Sequence, residues 1–213
     1  MNLILYLVTV FVALFAMVNP IGALPVLVSV TEGYSKDDFE RVVRYAAMSE
    51  ALMLFSFMLI GIYIFEVLGI NINDFKVAGG VLLFKVAFDM LQGRTSTTKL
   101  TPAETEESIE RTSIGIAPIG TPLLAGPGSI TAAIIYFNSY SVNIPEKIAV
   151  VISVSLVVVI SYFILHYSSV LFKYLGKTGS LIISRIMGLL LAAIAVDFMV
   201  TGLAFIVKSI TGV

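Results

Sequence analysis

Two proline-centred segments carry the residue types best suited to binding a small ligand inside an apolar chain. Asn19 precedes Pro20-Ile21-Gly22 in the first, while Gly126 precedes Pro127-Gly128-Ser129 in the second, and Thr131 follows within one turn. Proline suits the first position of a helix, and Asn or Gly is a favoured residue just before it. Each segment therefore predicts the start of a half-helix, whose free N–H groups and positive partial charge favour a bound carboxylate.

The alternative is a purely structural role, in which two proline kinks pack against small residues and bind no ligand. A single proline in a membrane helix favours that alternative. Two breaks at matching positions favour a ligand site, to which the side chains of Asn19, Ser129 and Thr131 add polar groups. The glycines beside both prolines let backbone approach a ligand closely and leave room only for a small solute.

Acidic residues within otherwise apolar stretches form the second group of candidates. Glu50, Asp89 and Asp197 are each costly in hydrocarbon and are expected to face a bundle interior. We predict them as proton-coupling residues, and the alternative is a structural acid in each case. For Asp89 that alternative is pairing with Lys85 one turn earlier. Asp197 lies deeper in its apolar stretch and has no cation near it along the chain, so we expect burial to favour its neutral form.

The composition indicates a membrane protein. Of 213 residues, 58% are hydrophobic and 13% are charged, and the mean hydropathy is +1.01. A soluble domain has about 45–50% apolar and about 25% charged residues. The chain has no Cys, one His and a net charge of −1. We therefore expect no disulfide, metal, cofactor or nucleic-acid site.

Six apolar segments are candidates for the roughly 20-residue length that a membrane-spanning helix needs. They cover residues 3–30, 42–65, 75–91, 113–137, 148–171 and 184–207. The clearly polar stretch between the third and fourth is predicted as a cytoplasmic linker over 93–112. It separates a first unit at 1–92 from a second at 113–213 within one membrane domain.

The two units resemble each other. Pro20 and Pro127 lie 107 positions apart, as do the Phe-x-x-Leu-Gly motifs at 65–69 and 172–176, and Gly80 and Gly188 lie 108 apart. Because each unit has three spans, the second enters the membrane from the opposite side. The sequence thus predicts an all-α membrane protein of six transmembrane helices in two inverted three-helix repeats, with spans 1 and 4 broken at Pro20 and Pro127. The alternative is a duplication kept only for packing.

The distribution of Lys and Arg predicts the orientation. Nine lie on the connections 1–2, 3–4 and 5–6, and three lie on the opposite side. Since cytoplasmic loops carry the excess of positive residues, those three connections are expected in the cytoplasm and both termini outside.

The motifs resemble those of the MarC family, which includes the SnatA-type small neutral amino acid transporters. They are the segments 19–25 and 126–130 and the stretch 185–196. The resemblance covers nearly the whole chain and implies the same inverted repeats. It also implies a cell-membrane location and proton-coupled uptake of glycine, alanine and similar amino acids. Both proline segments match the family's central motifs, and Asp89 matches an acidic position. Asp197 departs from a usual Gln, which puts a family-wide proton role for it in doubt.

The leading hypothesis is a secondary transporter of small neutral amino acids, with the carboxylate on the two helix starts and the ammonium near Asn19, Ser129 or exposed carbonyls. Its partners are the amino acid, protons and the bilayer. The alternatives are an exporter of another small solute and a non-transporting membrane protein with a structural or regulatory role. We expect no enzyme, because the chain has no HExxH, GxSxG or P-loop motif.

Overall fold

The computed structural model describes residues 2–93, 115–139 and 142–211, and helices account for nearly all of them. The predicted linker at 93–112 lies outside these residues except for Gly93. The helices are α1 Leu3–Val18, α2 Pro20–Val30, α3 Lys36–Leu68, α4 Ile72–Leu91, α5 Gly115–Leu124, α6 Pro127–Asn138, α7 Ile144–His166 and α8 Ser168–Thr211. Within α5 the turns are wide, of the π type.

Four segments of the described chain are long and apolar enough to cross a membrane. They are Leu3–Val30, Lys36–Leu68, Ile144–His166 and Ser168–Thr211. At 20 residues, α4 is about 30 Å long, but it carries four charged residues. The predicted fourth span is divided between the shorter α5 and α6. The protein is therefore an all-α membrane protein with four clear candidate spans, and the count of six stays a prediction.

Capping residues set most helix ends. Ser35 caps α3, and its hydroxyl accepts from the backbone of Asp38. Asn143 and Glu146 form a reciprocal capping box at the start of α7. The boundary predicted at residue 171 is wrong, because α7 ends at His166 and α8 then continues to Thr211.

Two glycines that lie 107 positions apart bend the chain. Gly69 ends α3 with φ 67°, and Gly176 interrupts α8 with φ 61°. Residues other than glycine rarely adopt such values. Their ψ values differ, at 24° for Gly69 and −176° for Gly176, so the first glycine caps a helix and the second makes a kink after which α8 resumes.

The most extensive contact between two helices joins α4 and α8. It is reciprocal, because each helix places a glycine against the backbone of the other. A Cβ atom at Gly80 would lie 2.8 Å from the carbonyl oxygen of Ala195, and one at Gly188 would lie 3.1 Å from that of Ala87. Gly80, in the first half of α4, contacts Ala195 on α8. Gly188, which precedes Ala195 on α8, contacts Ala87, which follows Gly80 on α4. The two helices therefore run antiparallel, with their backbones in close contact at both glycines.

The remaining helices pack against this pair or against one another. The helix α3 packs against α5, α6 and α7, while α1 packs against α7 and α8, α2 against α8, and α6 against α4. One core cluster of buried side chains, most of them alanine, valine and leucine, has members on all eight helices, and those on α8 are Leu191, Ala195 and Phe198. Large apolar side chains on the outer faces, such as Leu52, Val159 and Leu189, are exposed. A continuous apolar exterior is what a bilayer covers.

Candidate binding site at the two helix breaks

The first break depends on one residue. Asn19 has φ 50° and ψ 59°, and it is the only described residue other than glycine with a positive φ. Asparagine tolerates this left-handed conformation better than most side chains. Its N–H donates to the Phe15 carbonyl at 2.9 Å, and its Oδ1 accepts from the Gly22 N–H at 3.2 Å. Asn19 thus ends α1 and caps α2, whose first residue is Pro20.

The same side chain ties the break to α8. Asn19 Nδ2 donates to Ser184 Oγ at 3.1 Å, and both residues are buried. A Cβ atom at Gly22 would meet the Asn19 amide and would lie 2.5 Å from Ser184 Oγ. The glycine is therefore required by close packing. Ser184 was not among the predicted site residues, because nothing in the local sequence pairs it with a residue 165 positions away.

The second break has no side-chain cap at its first position. Gly126 has extended backbone, with φ −83° and ψ 169°, and Pro127 begins α6. The hydroxyl of Ser129 donates backwards to the carbonyls of Leu124 at 3.1 Å and Gly126 at 3.0 Å. Because Gly126 has no side chain, no side-chain cap accepts from the first N–H groups of α6. These N–H groups also have no partner within a regular helix.

The second break packs on α4. A Cβ atom at Gly128 would lie 3.1 Å from a methyl carbon of Leu83, and the methyl group of Thr131 lies against Gly79. Thr131 and Ser129 are buried, whereas Pro127 is exposed. The described hydrogen bonds join neither break to the other. The structure therefore places the two predicted segments on different members of the α4–α8 pair.

Irregular backbone precedes the second break. Ala117 and Thr121 have extended backbone within α5, where Pro118 and Pro122 also lack backbone donors. The hydroxyls of Thr121 and Ser49 are 2.9 Å apart, which links α5 to α3. This polar contact was also missed from sequence, since Ser49 lies in an otherwise apolar predicted span.

The three acidic candidates lie in different places. Glu50 is fully buried, and its Oε1 accepts from Ser161 Oγ on α7 at 3.2 Å. Asp89 is half-buried and Asp197 is exposed. On the α4–α8 pair, Asp89 lies within the stretch 87–91 that contacts Gly188, and Asp197 lies between Ala195 and Met199, which contact Gly80. They therefore occupy equivalent positions at opposite ends of the seam.

The expectation that Asp197 is buried without a cation is wrong. Its side chain lines an open cavity together with Lys76 from α4, and the two charges interact. The cation is 121 positions earlier in the sequence, so only the antiparallel packing of α4 on α8 brings it near. The pairing of Lys85 with Asp89 stays a prediction.

Comparison with known proteins adds a family to this geometry. The sequence profile described as "MarC family integral membrane protein" matches residues 4–207. The chain is 36% identical over 199 residues to the membrane protein YvbG of Bacillus subtilis, covering 93% of this chain and 94% of that protein. It is 34% identical over 193 residues to YhcE of Escherichia coli, covering 91% and 89%. A membrane protein of Archaeoglobus fulgidus is 38% identical over 194 residues, covering 91% and 90%. No solved structure matches the chain.

Proposed function

From the premise that this chain belongs to the MarC family of integral membrane proteins, we propose that it is a secondary transporter of small neutral amino acids such as glycine and alanine. The observation that carries this proposal is the pair of half-helix starts at Pro20 and Pro127. Interrupted helices at corresponding positions of two repeats are the typical binding-site device of secondary transporters.

Two further observations support six spans in inverted repeats. Gly69 and Gly176, which lie 107 positions apart, both have a positive φ. The contacts of Gly80 with Ala195 and of Gly188 with Ala87 are exchanged when the two units are exchanged. Such reciprocity between antiparallel helices fits an in-plane two-fold relation, with α5 and α6 together as the fourth span.

The substrate carboxylate belongs at the start of α6. That helix begins without a side-chain cap, so its first N–H groups and its positive end are available to an anion. The ammonium group is then best served by backbone carbonyls of α5, which the extended conformation at Thr121 removes from regular helix bonding. At the first break, Asn19 already satisfies the Gly22 N–H, which makes that break the weaker anion site.

Glu50 is the strongest candidate for proton coupling. It is fully buried and hydrogen-bonded to Ser161. These residues lie on α3 and α7, which correspond to the second span of each predicted repeat. A carboxylate inside the membrane is costly while charged. The protonated and the charged form of Glu50 therefore favour different packing of the two repeats. Substrate and proton then shift the balance between inward- and outward-open states through different affinities for the two.

Uptake into liposomes tests the proposal. The purified protein is reconstituted, and entry of labelled glycine and alanine is measured with and without an inward proton gradient. We expect saturable uptake that the gradient drives and that the double variant Pro127→Ala/Ser129→Ala loses. The matched control is Ser155→Ala, because the one described hydrogen bond of the Ser155 hydroxyl lies within α7, to the Val151 carbonyl.

The variant Glu50→Gln separates coupling from binding. The glutamine oxygen can still accept from the Ser161 hydroxyl, but the side chain cannot take up or release a proton. We therefore expect uptake to lose its gradient dependence, while exchange of labelled for unlabelled substrate continues. Absence of uptake of any small amino acid under every gradient contradicts the substrate assignment. Export from preloaded liposomes then tests the exporter of another solute, and absence of any flux supports the non-transporting alternative.

A further inference from the structure

A second candidate site lies away from both helix breaks. A cavity of about 800 Å³ is lined by residues of α1, α4, α6, α7 and α8. Its charged groups are Lys76 at the start of α4, Glu146 at the start of α7 and Asp197 on α8. Ligand cavities have volumes of about 300–1,000 Å³ and a few convergent polar groups. This cavity has both, and its charges have both signs.

The two carboxylates in the cavity differ in their partners. Glu146 belongs to the capping box of α7, where its Oε2 accepts from the Asn143 N–H at 3.0 Å. Asp197 is joined to Thr201 only through its backbone carbonyl, at 2.8 Å. Among the described hydrogen bonds none engages the Asp197 carboxylate, and this side chain is exposed. Asp197 is therefore the anion that a ligand can reach, and its charge acts on Lys76.

An aromatic wall lies beside these charges. The rings of Tyr136 and Phe198 meet edge to face, with centroids 5.3 Å apart. The hydroxyl of Tyr6 donates to the Tyr136 carbonyl at 3.0 Å, so this donor is already used. The wall therefore offers apolar surface next to one reachable cation and one reachable anion.

We propose that this cavity binds a small zwitterion, with the carboxylate on Lys76 Nζ and the ammonium on the Asp197 carboxylate. Neither charge of the ligand is left unpaired, and where the ligand has an apolar side chain, as alanine does, this side chain packs on Tyr136 and Phe198. The binding claim rests on the cavity itself, whereas its role as an outer vestibule on the transport path rests on the proposed function.

The location suits a vestibule. Tyr136 follows Pro127 by nine residues on α6, which places it about 13 Å along the helix from the break. The predicted orientation puts the starts of α4 and α7 on the outer side. A ligand in the cavity is thus separated from the second break by the length of α6.

Binding to nanodiscs of phosphatidylcholine tests the proposal without requiring transport. The probe is labelled glycine or alanine, and the chain is the Pro127→Ala/Ser129→Ala variant, so that the break site does not contribute. We expect Lys76→Met and Asp197→Asn each to weaken binding at least tenfold. The charge swap Lys76→Asp/Asp197→Lys is expected to recover most of the loss, because the ligand can bind in the reverse orientation.

Matched controls come from the same end of the molecule. Lys147 lies over the Phe137 ring at 5.1 Å and lies outside the cavity lining, so Lys147→Met is expected to leave binding unchanged. Asp74 in the first turn of α4 is exposed, and Asp74→Asn is expected to behave alike. Unchanged affinity in both cavity variants, or equal losses in the controls, overturns the proposal.

The other source of a zwitterion is a lipid headgroup. Nanodiscs containing phosphatidylethanolamine present an ammonium and a phosphate at the membrane surface. If labelled glycine never binds but this lipid is retained by the native chain and lost from Asp197→Asn, the assignment to a free amino acid is overturned. Failure of the proposed function is distinguishable, because glycine then binds the cavity in nanodiscs while liposomes show no uptake.

Discussion

At the first helix break the asparagine side chain satisfies the local backbone, whereas at the second break a glycine leaves it open. Asn19 caps α2 and reaches Ser184 on α8. Gly126 offers no cap, and the nearby Ser129 hydroxyl bonds back to carbonyls that precede α6. Both breaks place proline at the first helical position. Proline therefore begins a helix at both breaks, and the neighbouring residues determine whether that start is available.

The difference indicates that the two breaks have different roles. A capped start held to another helix is a structural anchor, because its polar groups already have partners. An uncapped start is the place where an anion gains most. In an inverted repeat, one unit can thus serve as the support against which the other binds substrate. Four predictions test this comparison, from the largest expected effect to the smallest.

Adding a methyl group beside each break is expected to separate them most clearly. Gly22→Ala places carbon against the Asn19 amide and Ser184 Oγ, so we expect a loss of about 2–3 kcal/mol in the free energy of unfolding. Gly128→Ala meets the flexible end of Leu83 at 3.1 Å and a methyl carbon of Val86 at 3.9 Å, and we expect a loss below about 1 kcal/mol. Denaturant unfolding in detergent micelles measures both. Similar losses would show that the first break is no more tightly packed than the second.

The seam between α4 and α8 is where the two units are expected to behave alike. Gly80→Ala and Gly188→Ala each force a Cβ atom towards backbone of the facing helix, and we expect each to lose about 1–3 kcal/mol of unfolding free energy. Thermal unfolding of the two variants is compared with that of Gly179→Ala. That control meets only Leu175 of its own helix. A large loss in one seam variant alone contradicts the reciprocal packing.

Removing the cap at the first break is expected to have an intermediate effect. Asn19→Ala removes the helix cap and the contact with Ser184, with a loss of about 1–2 kcal/mol in unfolding free energy. Asn19→Gly keeps the left-handed backbone accessible and is expected to lose less. Ser184→Ala isolates the contact between helices at about 1 kcal/mol. An alanine variant as stable as the glycine variant would be evidence against the capping role.

Adding a cap at the second break gives the smallest and most diagnostic effect. Gly126 has a φ of −83°, which any side chain adopts. Relative to Gly126→Ala, Gly126→Ser is expected to gain up to about 1 kcal/mol in unfolding free energy, because its hydroxyl accepts from the start of α6. The same hydroxyl competes with a substrate carboxylate, so glycine affinity is expected to fall several-fold. If Gly126→Ser gains stability but binds glycine with unchanged affinity, the substrate carboxylate does not bind at the start of α6.

Much of the helix pattern was predictable because it depends on near neighbours. The half-helix starts at Pro20 and Pro127 are present as predicted, since proline restricts only its own φ and the residue before it. The spacing of Gly80 and Gly188 indicated their equivalence, which the reciprocal contacts match. One predicted boundary failed at the junction of α7 and α8, because the fifth span was extended to residue 171 whereas α7 ends at His166 and α8 begins at Ser168. The predictions also missed Ser184, Ser161 and Thr121.

The sequence by itself determined that this chain belongs in a membrane, where its helices break, and which small residues permit close packing. Those properties follow from side-chain hydropathy and from backbone preferences within one or two turns. Only the tertiary structure decided which polar groups meet. Asn19 finds Ser184 across 165 positions, and Glu50 finds Ser161 across 111. Lys76 is brought to Asp197 by the same kind of long-range packing, which depends on the direction and register of facing helices.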